Sequence, residues 1–323
     1  MNIAPQQAAR SCIITVGGGK GGVGKSIVAL NLAAVLAHDG YRVVIADMDL
    51  GAANQHLLLG LHNPAMGLQD LLDKSVKEAK NCLTETQVPN LRLLAGTSGV
   101  LGAANITHAQ KVLLLRKLRA LEADIIVVDV GAGVGYNALD FFDLGMRKLL
   151  VTTPQVTALH DAYAFLKSAV LRLLRHNVEE DIDAALLEPA TLSTSSERVV
   201  QILARLRETR PLLADKVFAE IERFGAYMVG NQVFKDAHTG VFGAVAHTMH
   251  DYLGLNVPVL GWLRSSAAIH ESVNSRRPLV LDPDTKDTAA FRVLAQAVLA
   301  TLPANEQDLG IVEKVAVDEP SAA

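Results

Sequence analysis

Residues 12–38 read CIITVGGGKGGVGKSIVALNLAAVLAH, and three kinds of local structure follow one another inside them. Cys12–Val16 is a short β-branched apolar run, the form of a buried strand. Gly19-Lys20-Gly21-Gly22-Val23-Gly24-Lys25-Ser26 fits the pattern GxxxxGK[ST]. Lys25–His38 then carries the spacing of a helix. A strand, a glycine loop and a helix in that order make a cradle for phosphate. The glycines let the backbone turn tightly so that its N–H groups converge on phosphate oxygens, and the first turn of the helix adds its positive dipole end. Lys25 is placed to reach the β- and γ-phosphates of a triphosphate. The Ser26 hydroxyl suits a hard, octahedral Mg²⁺ that takes further oxygens from those phosphates.

Outward from the loop, short apolar runs alternate with longer segments of helical period. Strands are predicted at Cys12–Val16, Arg42–Ala46, Leu91–Leu94, Ile125–Asp129, Leu149–Thr153, Tyr227–Gly230 and Val257–Gly261. Helices are predicted at Lys25–His38, Ala109–Leu121, Ala158–Arg175, Phe242–Leu253 and Lys286–Leu302. The alternation implies an α/β fold: a mostly parallel, twisted sheet of about seven to eight strands, helices on both faces, and a ligand crevice at the carboxyl ends of the strands. Residues 177–224 break the rhythm and read as a helical insertion. Thr194 and Glu197 form a capping box ahead of Val199, Leu203 and Leu206, and a second amphipathic helix follows Pro211 with Leu213, Val217, Ile221 and Phe224 on one face. The pair either patches the domain surface or forms a partner-docking lid. The expected organisation is a flexible start over 1–10, one domain over 11–302 and an acidic, disordered tail over 303–323.

Half of the 323 residues are hydrophobic, enough for a sizeable core. The formal charge of −4 resides in residues 303–323, where Glu306, Asp308, Glu313, Asp318 and Glu319 face Lys314 alone. The body is therefore near neutral and offers no broad electropositive field, so DNA binding is not expected. No apolar run reaches the roughly 18 to 20 residues of a membrane-spanning helix, and MNIAPQQAAR lacks a secretory core, which points to the cytoplasm. Cys12 and Cys82 lack CxxC spacing and read as reduced thiols. Among the ten histidines, His247 and His250 share a helix face, but no cysteine or pair of acids completes a ligand set.

Two acidic strand ends join the loop. Asp47-Met48-Asp49 closes the second strand and runs into Leu50-Gly51-Ala52-Ala53-Asn54. Ile125-Ile126-Val127-Val128-Asp129 has the form of a Walker B strand, whose acid holds Mg²⁺ through a coordinated water or bonds Ser26.

With its second lysine, Lys20, the stretch KGGVGKS resembles the deviant Walker A signature of the MinD/ParA family of P-loop ATPases. The resemblance runs from Ile13 to about Leu302. DMDLGAANQHLLLG (47–60), DVGAGVGYNALDFF (129–142), VTTPQVTALHDAYAFLK (151–167) and LGWLRSSAAIHESVNSRRPLVL (260–281) are most similar to the MinD-like branch that includes the flagellar-number regulators FlhG and FleN. It implies ATP or ADP with Mg²⁺ as cofactors, held by Gly19, Lys20, Gly21, Gly22, Val23, Gly24, Lys25, Ser26 and Ile27. Lys20 would cross a dimer interface to touch the partner's nucleotide. Asp49, in a switch I of the form DxDxGxxN, would orient the attacking water and approach the Mg²⁺ shell alongside Ser26 and Asp129, while Asp47 braces the loop. Gly131, in a second switch, would contact the γ-phosphate, and Asn231 would read adenine. The family's G-x-I-P-x-D loop is replaced by Gly261-Trp262-Leu263-Arg264-Ser265-Ser266, and the acidic tail is a poor match to a basic membrane helix. The implied function is an ATP-dependent, dimerising switch with a protein partner, in flagellar number or placement or another positioning process. A non-hydrolysing ATP-binding adaptor and a DNA-partitioning ATPase are the alternatives.

Overall fold

Eight strands form one sheet in the order β3-β4-β2-β5-β1-β6-β7-β8. In a computed structural model they are β1 (Cys12–Gly17), β2 (Val43–Met48), β3 (Leu83–Glu85), β4 (Leu91–Leu94), β5 (Ile125–Val130), β6 (Arg147–Thr152), β7 (Ala226–Val233) and β8 (Val259–Arg264). The structure describes residues 11–62, 64–97, 106–178, 199–282 and 285–302, without the side chains of 175–178. The expectations for 1–10, for the Thr194–Glu197 capping box and for the 303–323 tail lie outside the described residues. All neighbouring pairs are parallel except β3 with β4. β3 escaped sequence analysis because it has three residues, none buried, too few to show a period.

The helices are α1 (Lys25–His38), α2 (Gln55–Leu58), α3 (Leu68–Leu72), α4 (His108–Arg119), α5 (Tyr136–Asp143), α6 (Val156–Val178), α7 (Val199–Thr209), α8 (Pro211–Glu222), α9 (Gly240–Leu253), α10 (Ala267–Asn274) and α11 (Lys286–Ala300). Strand residues alternate between two cores, as parallel strands covered on both faces must. Ile14, Val16, Ile125 and Val127 pack against α1 and, from α11, Phe291, Leu294 and Val298. On the other face Ile13, Ile126 and Val128 pack against Leu114 and Leu118 of α4, Phe142 of α5 and Phe165 of α6. The Phe142 and Phe165 rings meet edge to face at 4.9 Å, a favoured aromatic geometry.

In α7 and α8, Val199, Leu203, Val217 and Ile221 are buried in that second core, where the two helices pack against each other, α7 against α9 and α8 against α6. Cys12 and Cys82 are free thiols, packed in different cores. Burial pushes the Cys12 thiol up to about 11, against the lowering charge of Arg147. Among the described residues no helix is long and apolar enough to cross a membrane.

Strand ends shift by one to three residues from expectation, most of all in β7 and β8. β7 continues past Gly230 to Val233, so Asn231 lies within the strand. β8 begins later and runs to Arg264, through a register irregularity against β7 and through Gly261 at φ 150°. Trp262 and Arg264 are thereby strand residues on the outer edge, both exposed.

Candidate nucleotide site

The phosphate loop leaves β1 at the centre of the sheet and enters α1 at Lys25. Gly22 and Gly24 take φ of 80° and 91°, a region that penalises any side chain. Close approach requires others. A Cβ on Gly18 would stand 2.6 Å from the Val151 carbonyl oxygen, and one on Gly19 only 2.0 Å from the Asp161 carbonyl oxygen in α6. Gly21 has open space around it. The first helical bond of α1 runs from the Val28 N–H to the Gly24 carbonyl at 3.0 Å. The N–H groups of Lys25, Ser26 and Ile27 therefore face out of the helix end, ready for anionic oxygen.

Lys25 is 7% exposed. Its Nζ donates to the Lys20 carbonyl at 3.4 Å, a long bond within the loop. Burial lowers its pKa, opposed by the charges of Asp129 and then Asp49. Lys20 points elsewhere: its Nζ donates to Thr157 Oγ1 at 2.8 Å, at the start of α6.

β2 and β5 run in register, so that Asp47 lies beside Asp129. Both are buried, at 0% and 1% exposure. Asp47 braces the switch loop: its Oδ1 accepts from the Asp49 N–H at 3.2 Å and its Oδ2 from the N–H groups of Asn54 and Gln55 at 2.9 Å. Asp129 accepts at Oδ2 from Gln55 Nε2 at 2.8 Å, while its Oδ1 is buried without a hydrogen-bond partner. Burial raises both carboxyls; the charge of Asp47 adds to the rise at Asp129, that of Asp49 to the rise at Asp47. The Gln55 hydrogen bond, then the Ser26 hydroxyl and the charge of Lys25, oppose the shift at Asp129, Ser26 standing close without a hydrogen bond of normal geometry. Asp49, half-buried, comes so near Gly131 that a Cβ there would lie 2.9 Å from Asp49 Oδ1. The two switch segments thus meet, and they border a cavity of about 520 Å³ lined by Met48, Asp49, Leu50, Gly131 and Tyr136, among others.

An unpaired carboxylate oxygen in a dry, doubly acidic corner, next to a serine hydroxyl, fits a hard cation. No group of three His, Cys, Asp or Glu side chains among the described residues is arranged to hold a metal alone. A magnesium ion at Ser26 and Asp129 would accordingly draw on phosphate oxygens to fill its shell.

Asn231 is buried against the loop, its Nδ2 donating to the Val23 carbonyl at 2.8 Å, and Gln232 Nε2 reaches the Gly22 carbonyl at 2.9 Å. The strand end thus buttresses the phosphate loop. Arg264, in the departed adenine-side loop, pairs with Asp236, and Ser266 caps α10 by accepting from the Ile269 N–H at 3.2 Å. Sequence analysis missed Gln55, Gln232 and Thr157, whose signal is spatial only.

The family model for ParA, described as NUBPL iron-transfer P-loop NTPase, matches residues 10–170, the stretch that holds the loop and both acids. The chain belongs to the ParA/MinD family of P-loop NTPases. Within the ParA/MinD family it is 36% identical over 157 residues to the antiactivator FleN of Pseudomonas aeruginosa, a match covering 48% of this chain and 55% of FleN. It is 35% identical over 156 residues to the flagellum site-determining protein YlxH of Helicobacter pylori, covering 48% and 52%. The match thus spans about half the length of these curated relatives. The fold is that of the septum site-determining protein MinD from Pyrococcus horikoshii, solved with Mg-ADP, at a TM-score of 0.62 and 22% identity over 90% of this chain and 98% of that one.

Proposed function

We propose that the chain is an Mg²⁺-dependent ATPase acting as a dimerising switch: bound ATP favours a sandwich of two copies, the dimer binds a protein partner, and hydrolysis to ADP and phosphate releases it. The observation that carries this is the unpaired Asp129 Oδ1 beside Ser26 and Lys25 at the mouth of a glycine cradle. Gly19 to Ile27 hold the phosphates through backbone N–H groups, and Lys25 neutralises the β- and γ-oxygens. Ser26 and Asp129, with Asp49 at the edge of the shell, hold magnesium, which when bound offsets charge on the β- and γ-phosphates. Asp49 orients the attacking water, and the Gly131 amide is placed to sense the γ-phosphate. Such chemistry needs positioning more than a strong base.

Lys20 is the residue that makes association part of the chemistry. Supplied by a second copy, its ammonium stabilises charge on the transferring phosphoryl group as an arginine finger does. In the single chain it is held by Thr157, so it must swing out to reach across. Asn231 reads the base from the strand end beside the loop. A switch of this kind works only if the partner prefers one nucleotide state. The similarity to the antiactivator FleN and to a flagellum site-determining protein supports a role in flagellar number or placement.

The test is ATPase rate together with mass in ATP for the wild type, Lys25→Ala, Asp49→Ala and Lys20→Ala. Lys25→Ala is expected to weaken ATP binding about 10- to 100-fold, the worth of a hydrogen bond to a charged group. Asp49→Ala should trap a dimer that does not turn over, and Lys20→Ala should stay monomeric in ATP. Wild-type mass and turnover in both switch variants would remove the sandwich dimer, and ATP bound without phosphate release by the wild type would favour a non-hydrolysing adaptor.

A further inference from the structure

Gln55 opens α2, fully buried, between the phosphate loop and the two acids. Its side-chain nitrogen donates twice, to the Ser26 carbonyl at 2.9 Å and to Asp129 Oδ2 at 2.8 Å. Its backbone N–H donates to Asp47 Oδ2 at 2.9 Å. One residue therefore joins α1, β5 and β2. The orientation of the amide is dictated by its surroundings. Turned over, it would aim an oxygen at a carbonyl and a carboxylate, acceptor against acceptor, so the donor end must face them. Both side-chain hydrogens are consumed, and Gln55 Oε1 is left buried without a partner.

The geometry points to Gln55 as a positioning residue for magnesium: by occupying Asp129 Oδ2 and anchoring it to the Ser26 backbone, it turns Asp129 Oδ1 toward the ion and sets its spacing from the Ser26 hydroxyl. The inference rests on the assignment of Ser26 and Asp129 to the metal edge. Metal sites are tuned by such outer partners, which fix the rotation of a ligand and hold it where the ion needs it. A carboxylate free to rotate would present either oxygen, or lean toward Lys25. Held at Oδ2 by an amide that is itself anchored to the Ser26 carbonyl, it presents one. The backbone N–H of the same residue bonds Asp47, so that a shift of the Asp129 carboxylate on metal binding is passed through Gln55 to Asp47 and felt at Asp49, two residues beyond.

The experiment uses the whole chain and a fluorescent ADP analogue, titrated in EDTA and in Mg²⁺, with the ratio of the two affinities as the readout. Gln55→Leu should reduce the magnesium enhancement by about 10- to 100-fold, the usual effect of losing an outer partner. Its affinity in EDTA should stay at the wild-type level, because residue 55 meets the loop only at the Ser26 carbonyl and leaves the phosphate-facing N–H groups and Lys25 untouched. Gln55→Met, close in shape and without a donor, should behave the same and carries the test if the leucine variant fails to fold. A general structural role would weaken both affinities together. Equal weakening, or a full magnesium enhancement in either folded variant, overturns the inference while leaving the nucleotide site intact. A wild type that binds the analogue equally with and without Mg²⁺ overturns the metal assignment and this inference with it.

Discussion

Asp129 and Asp140 stand on either side of the same turn into α5, both almost removed from water, and they have opposite surroundings. Asp140 is gripped by Lys111 from α4 and Arg172 from α6, the latter through both of its carboxylate oxygens. Burial alone would raise its pKa, but the hydrogen bonds and charges of Arg172 and Lys111 outweigh that and hold it below the ordinary carboxylate range. The Arg172 guanidinium also lies 4.6 Å over the Tyr136 ring, closing the cluster from above. Asp129 receives one neutral amide, no ion pair, and a raised pKa. The contrast separates two uses of a buried acid. An acid whose cations are built into the chain belongs to the scaffold; one left short of a cation marks where a cation arrives with a ligand.

The sharpest way to break that contrast is to remove each acid in turn and measure urea unfolding of the nucleotide-free protein. Asp140→Ala abandons Lys111 and Arg172, whose side chains are 10% and 21% exposed, and should cost about 3–5 kcal/mol, the penalty for orphaning a buried charge. Asp129→Asn removes a charge that has no partner ion, so it should leave stability unchanged or raised while abolishing the effect of Mg²⁺ on nucleotide affinity. Equal destabilisation by the two would erase the distinction.

Acid titration of stability gives a smaller effect with a definite sign. Because the folded pKa of Asp140 is depressed, its contribution is complete at neutral pH. It falls away as pH drops below the unfolded carboxyl value of about 3.9 and through the folded one. The stability gap between wild type and Asp140→Ala should therefore be flat above about pH 5 and close on acidification below pH 4. A gap that is unchanged at low pH would show that packing, and not the pairing of Asp140 with Lys111 and Arg172, carries the effect.

The smallest expected effect concerns Lys20. Thr157→Val removes its resting partner, a net hydrogen bond of about 0.5–1.5 kcal/mol, and should favour ATP-dependent dimerisation roughly 2- to 10-fold. Thr157→Ser should restore wild-type behaviour. Weaker dimerisation in the valine variant would mean that Thr157 serves the assembled state instead.

How much of this was legible follows from how far apart the interacting residues lie in sequence. The loop could be read because strand, glycines, Lys25 and α1 are contiguous, and Lys25–His38 is the observed extent of that helix. Asp47 and Asp129 could be read because each ends an apolar run. Gln55 could not: its partners Ser26 and Asp129 are 29 and 74 positions away, and nothing local distinguishes a buried glutamine at the start of a one-turn helix. Thr157 was hidden in the same way, 137 positions from Lys20. The end of β7 was placed too early because Asn231 and Gln232 look like turn residues, whereas their amides are held in place by carbonyls of the phosphate loop.

The glycines of the loop will not drift alike under relaxed selection. Gly19 is fixed by a main-chain oxygen 2.0 Å from where a methyl would sit, and no rotamer can move a main-chain oxygen aside. Gly21 faces open space without a left-handed φ, so only a visiting ligand forbids a side chain there. A descendant that had abandoned nucleotides would retain the first glycine and lose the second, which makes residue 21 the better witness to surviving activity.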